Sequence, residues 1–258
     1  PNHEILGYSR RAVAISAWRE STLKPAGPWF LAAVVLGCLL HLVIFGRRRL
    51  PAACAEPMVV RHGRGARLGH LLALATFLFL AATGVSFLLG KASPLGDTAR
   101  QLHGYAGYAF AAGVVVVLLV WVKSAWFASY DWRWLRHLGG YFGFMGPLRA
   151  GKFNLGQKIF FWLAVVCGLG LGATGILMHQ SHEFAAWLPL VYTIHDALAI
   201  VLVALVLAHA YLGLVAVPGS TSAIFEGGVS AAWARHHHPD WTLEPPVGLE
   251  RRSAPEEK

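Results

Sequence analysis

Charged residues are scarce in this chain: Asp, Glu, Lys and Arg together make up only 14% of its 258 residues, while 56% are hydrophobic. Soluble domains contain about 25% charged residues, so the composition excludes an ordinary water-soluble fold. Acidic residues are the rarer sign, with 13 against 22 basic residues and a formal net charge of +9. The basic residues lie between apolar runs and form no binding face, which argues against a nucleic-acid partner.

Cysteine is also rare. The three cysteines, Cys38, Cys54 and Cys167, form no C-x-x-C pair, and none lies in a C-x-x-C-H motif. Their spacing excludes covalently attached haem and an iron–sulfur cluster held by four thiolates of this chain alone. Electrons that enter this chain from such a cluster must come from a partner protein.

Long apolar runs are what the sequence has in abundance. A helix needs roughly 20 apolar residues to cross a hydrocarbon core about 30 Å thick, and it satisfies its own backbone hydrogen bonds in lipid. The runs are continuous rather than alternating, which favours helices over strands. We therefore predict an all-α integral membrane protein with five transmembrane helices, at residues 29–45, 68–89, 102–122, 159–178 and 191–217.

The loops between these helices predict the orientation of the chain. The loops after the second and fourth helices contain few or no basic residues, so the positive-inside rule places them outside the cell. The N-terminus is then periplasmic and the C-terminus cytoplasmic, in the bacterial cytoplasmic (inner) membrane. The first and third loops, both assigned to the cytoplasm, carry Arg47, Arg48, Arg49, Arg61, Arg64, Arg67, Lys123, Arg133, Arg136, Arg149, Lys152 and Lys158.

Four histidines in the predicted helices form a pattern. His195 and His209 are separated by about 21 Å of helical rise and by nearly four whole turns, so they lie on one face of the last helix. His70 begins the second helix on the inner side, and His103 begins the third helix on the outer side. Depth therefore pairs His70 with His209 and His103 with His195. Ionisable groups inside membranes are usually functional, and neutral imidazole is a haem ligand, so we predict two bis-histidine haem b sites.

Other polar residues have simpler interpretations. His41, in the first helix, has no partner at matching depth and is expected to make a polar contact or to reach the interface. The histidines at 236–238 are expected to lie in a solvated tail or at a subunit contact. Asp196 has three possible roles: it orients the neighbouring histidine, binds a proton or faces the outer water. The last fits best with its place at a helix end.

Several sequence segments together resemble a known family. They are RLGH at 67–70, QLHGYAG at 101–107, GKFNLGQKIFFW at 151–162, TIHDALA at 193–199, LAHAYLG at 207–213 and FEGGVSAAWARHHHPDW at 225–241. Over about residues 64–242 the chain resembles the cytochrome b gamma subunit of respiratory formate dehydrogenase. Three departures are the additional N-terminal helix, Gly104 where the family usually has Pro, and Asp196 where it usually has a small apolar residue.

The resemblance implies a domain plan and a function. Residues 64–217 would form a four-helix dihaem cytochrome b bundle, preceded at 1–63 by a periplasmic tail, the extra helix and a cytoplasmic loop, and followed at 218–258 by a cytoplasmic tail. A molybdenum or tungsten catalytic (alpha) subunit would pass electrons through an iron–sulfur (beta) subunit to the outer haem, and the inner haem would reduce menaquinone or ubiquinone. The chain itself would not oxidise formate.

The resemblance also implies ligand-binding residues. The outer haem would be held by His103 and His195 and the inner haem by His70 and His209. Arg67, one turn before His70, would pair with a haem propionate or act as a positive-inside anchor. The segment GKFNLGQK resembles the family's quinone site, and the residues that would line the quinone pocket are Lys152, Asn154, Gly156 and Gln157. An alternative for this segment is an ordinary helix cap.

Two other classes of function remain open at this point. The chain could be the cytochrome b anchor of a hydrogenase or of a sulfur-compound oxidoreductase, which would change only the electron donor. It could also be a haem-free membrane scaffold or a proton relay built from the histidines. Haem content separates the second class from the first.

Overall fold

The computed structural model describes residues 10–47, 58–90, 97–143, 148–180 and 185–241. Five of its helices are long and apolar enough to cross a membrane, as the sequence predicts, and the chain is an all-α multi-pass membrane protein. The long helices are α1 (Arg10–Phe45), α2 (Arg64–Leu88), α3 (Asp97–Trp121), α5 (Leu155–His179) and α6 (Leu188–Tyr211), while α4 (Asp131–Arg136) is short.

The long helices form one bundle. Helix α2 packs against α3, α3 against α5, and α5 against α6, while α1 also packs against α6. The centre of the bundle is apolar and includes Phe110, Val114 and Leu202. Glycine allows the close approach of α5 to α3, because a Cβ added at Gly168 would lie 2.8 Å from Cγ2 of Val114.

Helix α1 is much longer than predicted. Residues 1–28 were expected to form a polar tail, and this prediction is wrong from residue 10 onwards, where α1 begins and continues through a π-helical turn at Arg19–Leu23. The charged side chains in the middle of this part form ion pairs: Lys24 Nζ lies 2.9 Å from Glu20, and Arg19 Nε lies 2.7 Å from Asp196 on α6. A hydropathy profile scores each charged residue alone and does not detect that an ion pair offsets the cost of its burial, so it does not predict this part of the helix.

The C-terminal region is a second correction. Residues 218–258 were expected to be a tail, but residues 218–241 fold against the segment before α2, and residues after 241 lie outside the described ranges. Val59, Val229 and Trp233 form the buried core of this region. We call residues 58–63 and 218–241 the cap. Its elements are β1 (Met58–Val60), α7 (Ser222–Phe225), β2 (Gly228–Ser230) and α8 (Ala231–His237), with β1 and β2 paired antiparallel.

Candidate functional site

The four predicted histidines meet as two couples at opposite ends of the bundle. The ring centroids of His70 on α2 and His209 on α6 are 6.4 Å apart. Those of His103 on α3 and His195 on α6 are 6.5 Å apart. Helix α6 contributes to both couples, because its two histidines project from one face. After the orientation that the sequence predicts, we call the couple of His70 and His209 the inner couple and the other the outer couple.

This spacing suits a metal ion held between two imidazoles. With metal–nitrogen bonds of about 2 Å on both sides of the ion, the ring centroids are roughly 6 Å apart. Among the described residues, no group of three or more His, Cys, Asp or Glu side chains forms a metal site. Each couple therefore supplies two ligands, and the remaining positions suit the four nitrogens of a porphyrin.

The rings of the outer couple are fixed by threonine. Thr83 Oγ1 lies 2.6 Å from Nδ1 of His103, and Thr174 Oγ1 lies 2.8 Å from Nδ1 of His195. Each hydroxyl donates to a backbone carbonyl four residues earlier in its own helix, at 2.9 and 2.7 Å. The hydroxyl oxygen is then the acceptor for the histidine Nδ1–H. This arrangement leaves the Nε2 lone pair of both histidines for a metal.

The rings of the inner couple are held by aromatic packing instead. Phe160 stacks on His209, with ring centroids 4.1 Å apart and planes tilted by 6°. The Trp121 ring lies 6.1 Å from that of His70, whose Nδ1 is buried and has no hydrogen-bond partner in the described part of the chain. The two couples therefore share a spacing but differ in how their rings are oriented.

Helix α1 contacts α6 next to both couples. At the outer end, Arg19 forms an ion pair with Asp196. The expectation that Asp196 faces the outer water is wrong, since Arg19 covers the carboxylate and leaves its side chain 17% exposed. At the inner end, His41 Nδ1 lies 2.5 Å from the Tyr211 hydroxyl, and its Nε2 lies 3.0 Å from the Tyr141 carbonyl oxygen. These bonds confirm the predicted polar contact of His41.

The predicted quinone segment begins α5 and forms a helix cap. The Asn154 side-chain oxygen accepts a hydrogen bond from the Gln157 backbone, and the Gln157 side-chain oxygen accepts one from the Asn154 backbone. This capping box uses the oxygen of each amide and leaves the NH2 groups as donors. Gly156 packs against the Trp134 ring, and the Lys152 carbonyl accepts a hydrogen bond from a cap arginine. The alternative of a helix cap is therefore correct, and a quinone at these residues stays a prediction.

Arg67 has structural partners in the cap. Its Nε donates to the carbonyl oxygen of Ile224 at 2.6 Å, and its Nη2 donates to the carbonyl of Phe225. These bonds tie α2 to the end of α7, a role that the sequence does not indicate. A contact between Arg67 and a haem propionate stays a prediction.

The histidine run at 236–238 lies at the end of α8, and His238 is only 1% exposed. The expectation of a solvated position is wrong for this residue. Its Nδ1–H donates to the Gly151 carbonyl at 2.8 Å, and its Nε2 accepts from Arg61 Nη2 at 3.0 Å. This pattern requires a neutral ring. Burial, together with the neighbouring Arg61 cation, accordingly holds the pKa of His238 well below its ordinary value.

A buried ion pair near the start of α5 was missed at the level of sequence. Lys158 Nζ lies 2.8 Å from Asp131 Oδ2, and the two side chains are 3% and 6% exposed. Thr83 and Thr174 were missed as well. Their depth in the membrane could have identified them. Each threonine lies about as many residues before a connecting loop as its histidine partner lies after that loop, and residues so placed face each other in antiparallel helices.

Known cytochrome b proteins are similar to this chain. The family model of prokaryotic cytochrome b561 matches residues 61–227. The cytochrome b556 subunit of formate dehydrogenase from Haemophilus influenzae is 32% identical over an alignment of 208 residues that covers 73% of this chain and 84% of that protein. In Escherichia coli K12, the cytochrome b556(fdo) subunit of formate dehydrogenase is 26% identical over 196 residues (72% and 92%). The nitrate-inducible cytochrome b556(Fdn) subunit is 29% identical over 206 residues (72% and 91%). Because the family model spans more than half of the sequence, the chain belongs to the prokaryotic cytochrome b561 family.

Proposed function

We propose that this chain is the membrane cytochrome b subunit of a respiratory formate dehydrogenase and that it holds two b haems. The outer haem is bound by His103 and His195, and the inner haem by His70 and His209. The observation that carries the proposal is the meeting of these four histidines as two couples, with ring centroids 6.5 and 6.4 Å apart, at opposite ends of one bundle. The similarity to formate dehydrogenase subunits supports the choice of complex.

The role of this chain is to let electrons cross the membrane. When bound, the two haems supply one-electron redox chemistry between an outer iron–sulfur partner and a quinone near the inner surface. Electron transfer across the membrane needs two haem sites, because a single haem is too small to span a hydrocarbon core about 30 Å thick. Residues such as Phe110 and Leu202 fill the space between the couples and keep water out. Each electron moved across 100 mV of membrane potential corresponds to about 2.3 kcal/mol, which the donor and quinone potentials must cover.

The partners follow from what the chain lacks and what it resembles. The chain has too few cysteines for its own cluster, so an iron–sulfur (beta) subunit delivers electrons to the outer couple. A molybdenum or tungsten (alpha) subunit oxidises formate. The positive-inside rule, applied to the basic loops, supports a cytoplasmic position in the inner membrane for the inner couple and the cap.

Quinone reduction belongs to the inner end. Lys152 and the side-chain NH2 groups of Asn154 and Gln157 are the donors that would bind quinone carbonyls, with Gly156 in the pocket wall. The capping box holds both amides in place at the start of α5. Protons for the quinol come from the cytoplasm, and the quinone is menaquinone or ubiquinone.

Spectroscopy of the purified complex tests the proposal. We expect b-type bands in the reduced-minus-oxidised spectrum and two haems per chain. Substitution of His209 by Leu should remove the inner haem and spare the outer one, and His103→Leu should do the reverse. Absence of b-type bands, or loss of both haems in each variant with the bundle still folded, would contradict the two-site assignment.

The donor needs a separate experiment. Formate added to the intact complex should reduce both haems, and a quinone analogue should slow their reoxidation. Hydrogen or a reduced sulfur compound should reduce neither haem. Haem reduction by hydrogen but not by formate would keep the cytochrome assignment and overturn the choice of complex.

A further inference from the structure

Two adjacent residues at the start of the cap, Arg61 and His62, are buried at the inner end of the bundle. They are only 3% and 7% exposed. Arg61 Nη2 donates to the Lys152 carbonyl at 2.7 Å and to His238 Nε2 at 3.0 Å. Both of these acceptors are neutral groups. The positive charge of Arg61 is therefore buried, and no carboxylate of the described ranges pairs with it.

Part of this pair has no binding partner in the part of the chain that the structure describes. Among the described residues, Arg61 forms no ion pair with a carboxylate. Its Nη1 and the Nδ1 of His62 are buried and have no hydrogen-bond partner in residues 10–47, 58–90, 97–143, 148–180 and 185–241. Burial lowers the pKa of Arg61 to about 9, so the guanidinium stays charged at neutral pH. A buried cation and a buried unsatisfied donor are both costly, and an anionic acceptor would remove both costs.

The aromatic contacts connect this pair to the inner couple. The His62 ring lies 5.0 Å from the Trp121 ring, and the Trp121 ring lies 6.1 Å from that of His70. The two tryptophans Trp233 and Trp241 cover Arg61 on the cap side, at 5.3 and 5.2 Å from its Cζ. The missing acceptor thus belongs in the interior of the protein, close to the inner couple.

We propose that Arg61 and His62 bind the propionate carboxylates of the inner haem, an inference that rests on the proposed function. A haem carries two carboxylates with it, so the negative charge arrives together with the cofactor. A quinone is neutral, so it would leave the positive charge of Arg61 without a counter-charge even when bound. A lipid phosphate would have to pass the tryptophans of the cap. Arg67 is less suited to this role, because two of its nitrogens already bind cap carbonyls.

The test uses the intact complex and three variants. Arg61→Gln removes the buried charge, and His62→Phe removes the donor while keeping a ring against Trp121. The matched control is Arg149→Gln, which removes a 63% exposed arginine that pairs with Asp240 in the same region. Two readouts are followed: the propionate bending band in the resonance Raman spectrum, and the midpoint potential of each haem in a spectroscopic redox titration.

Arg61→Gln should shift the propionate band and lower the potential of the inner haem, because the carboxylate loses its cation. At a fixed applied potential, the ratio of reduced to oxidised inner haem should fall about tenfold, the size expected for a charge-assisted hydrogen bond. His62→Phe should shift the same band with a smaller change in the ratio. The outer haem should stay unchanged in both variants, and Arg149→Gln should alter neither readout.

Other results would overturn the inference. One is a propionate band that stays at the wild-type position in His62→Phe and in a folded Arg61→Gln. Should Arg61→Gln fail to fold, His62→Phe alone decides. A potential change without a band shift would mean that the arginine acts only at a distance. An effect that disappears after removal of acidic lipid would identify a lipid phosphate instead. Absence of b-type bands in the wild type would refute the proposed function itself.

Discussion

Substitution of Thr174 by Val tests how the outer couple is built. The change removes the hydroxyl that lies 2.8 Å from Nδ1 of His195 and keeps the branched shape of the side chain. The His195 Nδ1–H then has no acceptor inside the bundle, which costs about 1–3 kcal/mol. Loss of such a supporting bond usually lowers metal affinity about 10- to 100-fold, and a tenfold change corresponds to about 1.4 kcal/mol. The two magnitudes agree, so we expect the affinity for the outer haem to fall by this factor.

The assay is haem retention in detergent, followed as the b-type absorbance of each haem during dilution. Thr174→Ser keeps the hydroxyl and should retain the outer haem as the wild type does. Thr76→Val is the matched control, because the Thr76 hydroxyl also donates to a carbonyl four residues earlier but, among the described residues, forms no hydrogen bond with a histidine. The reasoning is refuted if Thr174→Val retains its outer haem as well as Thr76→Val does, or if it loses the inner haem equally.

Three further predictions concern charges at the two ends. Asp131→Asn leaves the Lys158 ammonium buried without a counter-charge and should destabilise the protein by about 3–5 kcal/mol in thermal unfolding. Adding Lys158→Met should restore most of the lost stability. Equal stability of the single and double variants would contradict this prediction. Arg19→Gln should cost about 1–3 kcal/mol, because the pair is only partly buried, and adding Asp196→Asn should recover it, which a cycle of melting temperatures checks. Acid should destabilise the packing of the cap. Burial lowers the pKa of His238 in the folded protein. The contribution of neutral His238 to stability is therefore complete above about pH 6.5 and is lost as the pH falls toward the lower pKa of the folded state. Proteolysis of residues 218–241 should then be faster at about pH 5 than at about pH 7.5, and equal rates would exclude this role.

The helices of the bundle could be predicted because their signals are local. An apolar run of sufficient length determines α2, α3, α5 and α6 without knowledge of any partner. The histidine couples could also be deduced, since helix direction and depth follow from the order of the spans. The ring spacing that suits a metal ion, however, depends on how closely α6 approaches its neighbours, and no sequence pattern gives this distance.

What could not be predicted depends on partners far apart in the chain. The N-terminal half of α1 is stable in a membrane protein because Arg19 meets Asp196, 177 positions away. The cap forms because Arg61 and His238, also 177 positions apart, meet between two tryptophans. A single sequence shows the charges and the aromatic residues but not these pairings, so both regions resemble polar tails.

The pairing of β1 with β2 has a consequence for how the inner site is assembled. Val59 lies opposite Val229 in this ladder, and the backbone of Arg61 and His62 also donates to the Gly227 carbonyl. Backbone hydrogen bonds therefore connect the segment before α2 to the segment that follows α6. Because this backbone pairing involves no cofactor, it would hold the two helices at a fixed separation, and a haem bound between them would lose less binding energy to ordering the protein.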